Sequence, residues 1–221
     1  MPPASVAVIF RYRFFMDPSV LLPFVTASLV LAIAPGPDNL FVLTQSAMYG
    51  WQAGIMIVLG LCTGLLAHTA AVVAGVAVLI QTSDLAFTAL KVAGALYLMY
   101  LAWQAFRAGA SELAAPAGRR SGIALYRRGI IMNVTNPKVS IFFLAFLPQF
   151  VNPAQGSVPL QLIALGFIFM LCALLVFGVI AFTAGQLGRL LVQSPRLQKL
   201  LNRLAGAVFL VLALKLVTSE R

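Results

Sequence analysis

The chain has 221 residues, of which 62% are hydrophobic and only 9% are charged, with a mean hydropathy of +1.00. A soluble domain carries about 25% charged residues, so this composition excludes a soluble protein and indicates a membrane protein with short loops. The net charge of +10 does not indicate nucleic-acid binding, because the basic residues are concentrated in two connecting segments. Basic loops of this kind are typical of inner-membrane proteins.

Six apolar segments are each near the ~20 residues that cross a bilayer as a helix. We expect an all-α membrane protein with six transmembrane helices and one membrane domain over residues 16–221. Residues 1–15 are expected to be an N-terminal extension, with Met16 as the true start. The segments are placed near residues 20–46, 52–80, 85–106, 128–150, 158–187 and 201–218.

The first segment is interrupted by Pro35, Gly36 and Pro37, which Asp38 and Asn39 follow directly. Proline removes a backbone donor and clashes with the preceding turn, so the helix is expected to stop and restart here. In lipid, the freed backbone groups are tolerated only where protein or a wet cavity satisfies them. A carboxylate beside such a break indicates a binding site at mid-membrane depth. Asp38 could carry a proton there, cap the restarted helix, or do both.

The fourth segment is interrupted at Asn136 and Pro137, with Asn133 one turn earlier. Lys138 follows Pro137 as Asp38 follows Pro37, and it could pair with Asp38, bind a substrate carboxylate or extend to the membrane interface. The asparagines at the two breaks offer amide donors and acceptors, and the restarted helices offer N-termini that favour anions. These groups together suit a zwitterion.

The chain also contains an internal similarity. Residues 91–98, KVAGALYL, align with residues 203–210, RLAGAVFL, at four identical positions. With the matching breaks, this predicts two three-helix repeats, about residues 16–106 and 128–218, joined by a basic linker at 107–127. A repeat with an odd number of spans is inserted in the inverted orientation, which is a plan of many transporters.

Charge predicts the orientation in the membrane. The two basic connecting segments fall on one side of a six-span model, and the opposite short loops near residues 82–84 and 152–156 contain no basic residue. The basic loops are therefore expected in the cytoplasm and both termini in the periplasm, although Arg11 and Arg13 conflict with this. The basic residues are Arg107, Arg119, Arg120, Arg127, Arg128, Arg189, Arg196, Lys199 and Arg203.

The remaining reactive residues favour a protein that is not an enzyme. His68 is the only histidine; it is interpreted as a packed polar residue, with a proton relay as the alternative. One histidine without an acidic cluster predicts no metal site, and no cofactor is expected. Cys62 and Cys172 lie inside apolar segments and are interpreted as small core residues.

Four sequence stretches together resemble the LysE/RhtB family of amino-acid exporters: APGPDN at residues 34–39, NPK at 136–138, GALYLMYLAWQAFR at 94–107 and LAGAVFLVLALKL at 204–216. The resemblance implies a multi-pass bacterial inner-membrane exporter of amino acids or their derivatives, such as homoserine, threonine, lysine or leucine-like compounds, driven by the proton gradient. Pro35, Gly36, Pro37 and Asn39 match the first family motif. The second is matched by Asn136, Pro137 and Lys138.

Two other functions stay open at this point. A membrane thiol-redox carrier would need a cysteine pair near the breaks, and a carrier of another small solute or ion, such as a metal or an anion, would use more acids and histidines in the spans. The expected partners are an amino-acid substrate, protons, the lipid bilayer and, in a homo-oligomer, further copies of the chain.

Overall fold

The computed structural model describes residues 18–76, 84–108 and 120–218, and no strand occurs in these ranges. Residues 1–15, predicted as an extension, lie outside them, as do residues 109–119 of the predicted linker. The helices are α1 Pro18–Ile33, α2 Pro37–Tyr49, α3 Trp51–Ala71, α4 Asp84–Arg107, α5 Gly122–Val134, α6 Pro137–Ile141, α7 Val158–Gln193 and α8 Pro195–Thr218. A π-helical turn, Val72–Val76, continues α3, and π-helical Phe142–Phe146 and 3₁₀-helical Leu147–Phe150 continue α6.

Both predicted breaks are present. The axes of α1 and α2 differ by 58°, and α5 and the segment Pro137–Phe150 differ by 50°. Four further helical stretches, in α3, α4, α7 and α8, are long and apolar enough to cross a membrane, which gives six spans if each bent pair counts as one. The predicted all-α membrane fold is confirmed.

The main helix contacts join one half of the chain to the other. Helix α4 packs along α8, and α3 packs against both α5 and α7. Helix α7 in turn contacts α1 and α2. The α4–α8 and α3–α7 pairs are compatible with a two-fold relation between the halves, and the inverted repeat itself stays a prediction.

The crossing of α3 and α5 is close enough to require glycine. A Cβ atom on Gly60 would overlap the backbone carbonyl of Tyr126, and one on Gly129 would overlap the carbonyl of Ile57. One turn further along α3, a Cβ atom on Gly64 would lie 2.7 Å from the side chain of Asn133. Small residues at four-residue spacing allow such an approach in membranes, and here they place α3 directly against the second break.

The ends of two elements differ from the sequence-based boundaries. Helix α5 begins at Gly122 rather than near residue 128, because the side chain of Ser121 caps it by accepting from the N–H of Ala124 at 3.4 Å. Helix α8 begins at Pro195 rather than near residue 201. Several basic residues assigned to loops therefore lie within helices: Arg127 and Arg128 on α5, and Arg196, Lys199 and Arg203 on α8.

A cluster of aromatic rings packs directly after the second break. Phe142 contacts the rings of Phe24, Phe143 and Phe169 with centroid separations of 5.1–6.3 Å. All four side chains are buried. The cluster joins α1, the segment after α6 and α7, so it fixes the first and second breaks relative to each other.

Candidate functional site

The two breaks meet at a buried hydrogen bond. Asp38 lies in the first turn of α2 and its side chain is 2% exposed. Asn136, which precedes α6, donates from Nδ2 to Oδ2 of Asp38 at 2.8 Å. Two residues separated by 98 positions in sequence, one from each half, therefore contact each other directly.

The second carboxylate oxygen of Asp38 has a different environment. Oδ1 is buried without a hydrogen-bond partner in the described structure, and so are Oδ1 of Asn39 and Oδ1 of Asn133. Buried polar atoms are nearly always satisfied. All three oxygen atoms are acceptors, and Oδ1 of Asp38, which belongs to a carboxylate, favours a ligand that donates hydrogen bonds and carries positive charge.

Lys138 does not pair directly with Asp38. Its Nζ atom donates to the carbonyl oxygens of Ala34, at 3.1 Å, and Leu31, at 3.4 Å. The reason lies in the backbone: Pro35 has no N–H to give to the carbonyl four residues earlier, which is Leu31. Lys138 replaces that donor, and its positive charge is favourable at the C-terminal end of α1. It is buried, which rules out the interpretation that it extends to the membrane interface.

Asn39 satisfies a further carbonyl freed by the first break. Its Nδ2 atom donates to the oxygen of Ala32 at 2.7 Å. Gly36 separates the two half-helices, and a Cβ atom there would lie 3.1 Å from Nζ of Lys138. The φ of Gly36 is −171°, an extended value open to any residue, so glycine is favoured here because Lys138 approaches closely.

The start of α2 is uncapped. Gly36 is its N-cap and no side chain bonds to the first turn. Asp38 therefore does not cap the helix, contrary to one of the two sequence interpretations. The first N–H groups of a helix have no partner within it, and their positive end of the helix dipole favours an anion.

The start of α6 is capped, in contrast. Oδ1 of Asn136 accepts from the N–H of Lys138 at 3.0 Å. Asn136 thus forms hydrogen bonds at both breaks. Its amide nitrogen donates to Asp38 at the first break, and its amide oxygen accepts from the start of α6 at the second. Pro37 and Pro137 each begin their restarted helix, where proline is tolerated because its missing N–H would have no partner there.

His68, on α3, forms a hydrogen bond at the second break. Its Nε2 atom lies 3.1 Å from the carbonyl oxygen of Asn133 and, since a carbonyl only accepts, Nε2 is the donor. Pro137 cannot donate to this carbonyl four residues earlier. The His68 ring also packs on Phe143 at a centroid distance of 5.7 Å, so it is a satisfied, packed polar residue in this structure.

The model of a protein family described as LysE type translocator matches residues 29–220, most of the chain. The chain belongs to the LysE type translocator family. It is 33% identical to an uncharacterized membrane protein of Vibrio cholerae, over 93% of this chain and all of that protein. It is also 33% identical to a homoserine/homoserine lactone efflux protein of Salmonella typhimurium, over 89% of this chain and 95% of that protein.

A third relative is a leucine efflux protein of an Enterobacter strain, with 27% identity over 88% of this chain and 93% of that protein. No solved structure matched the chain. The relatives named for efflux differ in the compounds in their names.

Sequence reasoning missed Gln45 and Ser46 on α2. Both side chains are buried, and neither forms a hydrogen bond within the described residues. The signal was available, since two polar residues follow Asp38 by seven and eight positions in an otherwise apolar half-helix. That spacing places them on the same side of α2 as Asp38 and Asn39.

Proposed function

We propose that this protein exports amino acids or amino-acid derivatives across the bacterial inner membrane in exchange for protons. The observation that carries the proposal is the buried carboxylate of Asp38, which has one oxygen bonded to Asn136 and the other without a partner. An ammonium group is the donor that such an oxygen would bind. Membership of a family with relatives named for homoserine and leucine efflux supports the same substrate class.

A zwitterionic substrate would use both sides of the first break. Its ammonium group would bind Oδ1 of Asp38, with the free amide oxygen of Asn39 as a second acceptor. Its carboxylate would lie at the uncapped start of α2, where N–H groups and the helix dipole favour an anion. Because Lys138 donates to carbonyl oxygens at the end of α1, it does not bond to Asp38, and the carboxylate can bind the substrate.

Exchange with protons would follow if Asp38 binds either the substrate or a proton. The cytoplasm-facing site takes up the ammonium group on the carboxylate. A proton from the periplasm then neutralises the carboxylate, and the substrate is released outside because its ionic partner is gone. The protonated site returns and releases the proton to the cytoplasm, so an inward proton gradient drives outward transport.

The alternatives have less support. Both cysteines of the chain are free and buried, one on α3 and one on α7, and neither belongs to a broken span, which gives a thiol-redox carrier no cysteine pair within the breaks. The acceptor atoms at the first break favour a donor-bearing cation, which does not suit an anion carrier.

The test uses purified protein in proteoliposomes loaded with labelled L-homoserine or L-leucine. Efflux of at least one of them should accelerate when the outside is made acidic, and Asp38→Asn should abolish this acceleration while the protein level stays normal. Asp84→Asn, the same change at the start of α4, is the matched control and should keep wild-type behaviour. Normal gradient-driven efflux by Asp38→Asn would disprove the role of Asp38, and absence of any amino-acid efflux by the wild type would disprove the exporter.

The proposed orientation places both termini in the periplasm and the basic linker, predicted at 107–127, in the cytoplasm. It rests on the distribution of basic residues. An alkaline phosphatase fusion after Thr218 should be active in cells, and a fusion within the linker should be inactive. The reverse activities would invert the topology.

A further inference from the structure

Gln45 lies in the third turn of α2 and has no role in the exchange described above. Its side chain is 0% exposed, and neither Nε2 nor Oε1 has a hydrogen-bond partner among the described residues. Ser46, the next residue, is also buried, with its Oγ unpartnered. A buried amide with both of its ends unsatisfied is rare in native proteins and needs a reason.

Gln45 shares one face of α2 with Asp38. Seven residues make almost two full turns, so the two side chains leave the helix in nearly the same direction, separated by about 10 Å along the axis. Val42, which lies between them on this face, is buried and apolar. Long helical side chains lean towards the N-terminus, which brings the amide of Gln45 towards the first break.

This separation matches the size of a small amino acid. A hydrogen bond to Asp38 and another to Gln45 each take up about 3 Å. The 10 Å separates the two Cα positions along the axis, and the lean of Gln45 shortens it, so at most about 4–5 Å remains between the two bonded atoms of a ligand. This is the length of up to about four single bonds of roughly 1.5 Å in an extended chain. An ammonium nitrogen and an oxygen two carbons beyond Cα are separated by four bonds.

Ser46 has a different surrounding from Gln45. A Cβ atom on Gly54 would overlap Oγ of Ser46 and would lie 2.8 Å from Cβ of Ala181. The Ser46 hydroxyl therefore fills the contact of α2 with α3 and α7. Gln45 is the other buried side chain of this turn whose polar atoms have no hydrogen-bond partner among the described residues, and it is the one that remains for a ligand.

We propose that Gln45 forms a second polar subsite, which binds a neutral hydrogen-bonding group at the end of the substrate side chain while Asp38 binds the ammonium group. The inference rests on the export function proposed above. An amide donates and accepts, so it suits a hydroxyl, a carboxamide or a lactone oxygen. A charged side chain would be buried there without a counter-ion, and an apolar one would leave the amide unpaired, so both would be disfavoured.

The test compares L-homoserine with L-norvaline, in which a methyl group replaces the hydroxyl. Wild-type proteoliposomes should export homoserine about tenfold faster than norvaline, the discrimination expected from one hydrogen bond. Gln45→Met keeps the side-chain length and removes both polar ends, so it should bring this ratio close to one. Gln45→Leu is a second apolar variant with the same expected result, and Ser46→Ala is the matched control that should keep the wild-type ratio.

Thermal unfolding of the same variants separates binding from structure. Because the amide has no partner to lose, Gln45→Met should unfold at the wild-type temperature or above it. An unchanged export ratio in both Gln45 variants would overturn the subsite while leaving the exporter intact. Equal loss of both substrates with a lower unfolding temperature would also overturn it, by making Gln45 a structural residue. A wild type that exports neither amino acid would overturn the export function and the subsite with it.

Discussion

The first and second breaks can be compared carbonyl by carbonyl. At the first break, the carbonyl oxygen of Leu31, four residues before Pro35, accepts a hydrogen bond from Lys138. At the second break, the carbonyl oxygen of Asn133, four residues before Pro137, accepts a hydrogen bond from His68. In both cases the donor comes from the opposite half of the chain. Each interruption is thus stabilised by contact between the halves, and any motion that separates them has to replace these bonds.

The breaks differ in what they leave unsatisfied. At the second break Asn136 caps α6, and His68 donates to the carbonyl of Asn133 and packs on Phe143. One polar atom there, Oδ1 of Asn133, has no partner among the described residues. At the first break α2 has no side-chain cap and Asp38 keeps a free oxygen. The difference indicates that the second break is mainly a support and the first is the place where a ligand is bound. Four substitutions test this division.

Lys138→Met should have the largest effect. It removes the donor to two α1 carbonyls and leaves the buried carboxylate of Asp38 without a nearby cation, which costs about 3–5 kcal/mol. Equilibrium unfolding in mixed micelles would measure this loss. Adding Asp38→Asn should recover part of the stability because the unpaired charge is gone, while export stays absent. If the double variant is no more stable than Lys138→Met, the two charges are not coupled across the breaks.

Asn136→Ala should rank second, with a loss of about 2 kcal/mol, since one side chain holds Asp38 and also caps α6. Asn39→Ala is the matched comparison. It removes one hydrogen bond, to Ala32, and should cost about 0.6 kcal/mol, a typical value for membrane helices. Equal losses for the two variants, measured by the same unfolding assay, would contradict the special position of Asn136.

Gly36→Ala should cost about 1 kcal/mol, because the new methyl group would press against Nζ of Lys138. The same substitution in a Lys138→Ala background should be nearly neutral. This double-mutant cycle isolates the contact. A cost that persists without Lys138 would show that the glycine is required for another reason.

His68→Leu should have a small effect, about 0.6 kcal/mol from one hydrogen bond, equal to that of Asn39→Ala. Its gradient-driven export should keep the wild-type dependence on external pH. A stable His68→Leu variant whose export no longer responds to the gradient would instead place the second break in proton transfer.

The helix breaks and their polar residues were predictable because proline has a local effect that any context preserves. The hydrogen-bond partners of these polar residues were harder to predict. An ion pair with Asp38 was one of three interpretations of Lys138, whereas in the structure Asp38 accepts from Asn136 and Lys138 donates to backbone carbonyls. A local rule could have found this: each proline removes the N–H that would bond the carbonyl four residues earlier, and Lys138 and His68 are strong donors within the broken and neighbouring spans.

Other features depend on packing alone and have weaker sequence signals. Gly60 and Gly129 lie close together because α3 and α5 cross at these residues. A pattern of small residues in the sequence predicts a close helix crossing but not which helix is the partner. The starts of α5 and α8 lie in polar, basic sequence, where hydropathy gives no boundary. Gln45 was overlooked because a single glutamine in an apolar helix is usually assigned to packing, and only its burial without a partner distinguishes it.

The bond from Lys138 to Ala34 spans 104 positions of the chain, and this has a consequence for biogenesis. When α1 and α2 leave the ribosome and enter the membrane, their freed carbonyls and the Asp38 carboxylate have no hydrogen-bond donors from the second half until that half is synthesised. We expect a chain truncated in the connection after α4 to be degraded rapidly by membrane proteases, and co-expression of the missing half to rescue it. Pulse-chase labelling of the two fragments would measure this, and a long-lived first fragment on its own would contradict the expectation.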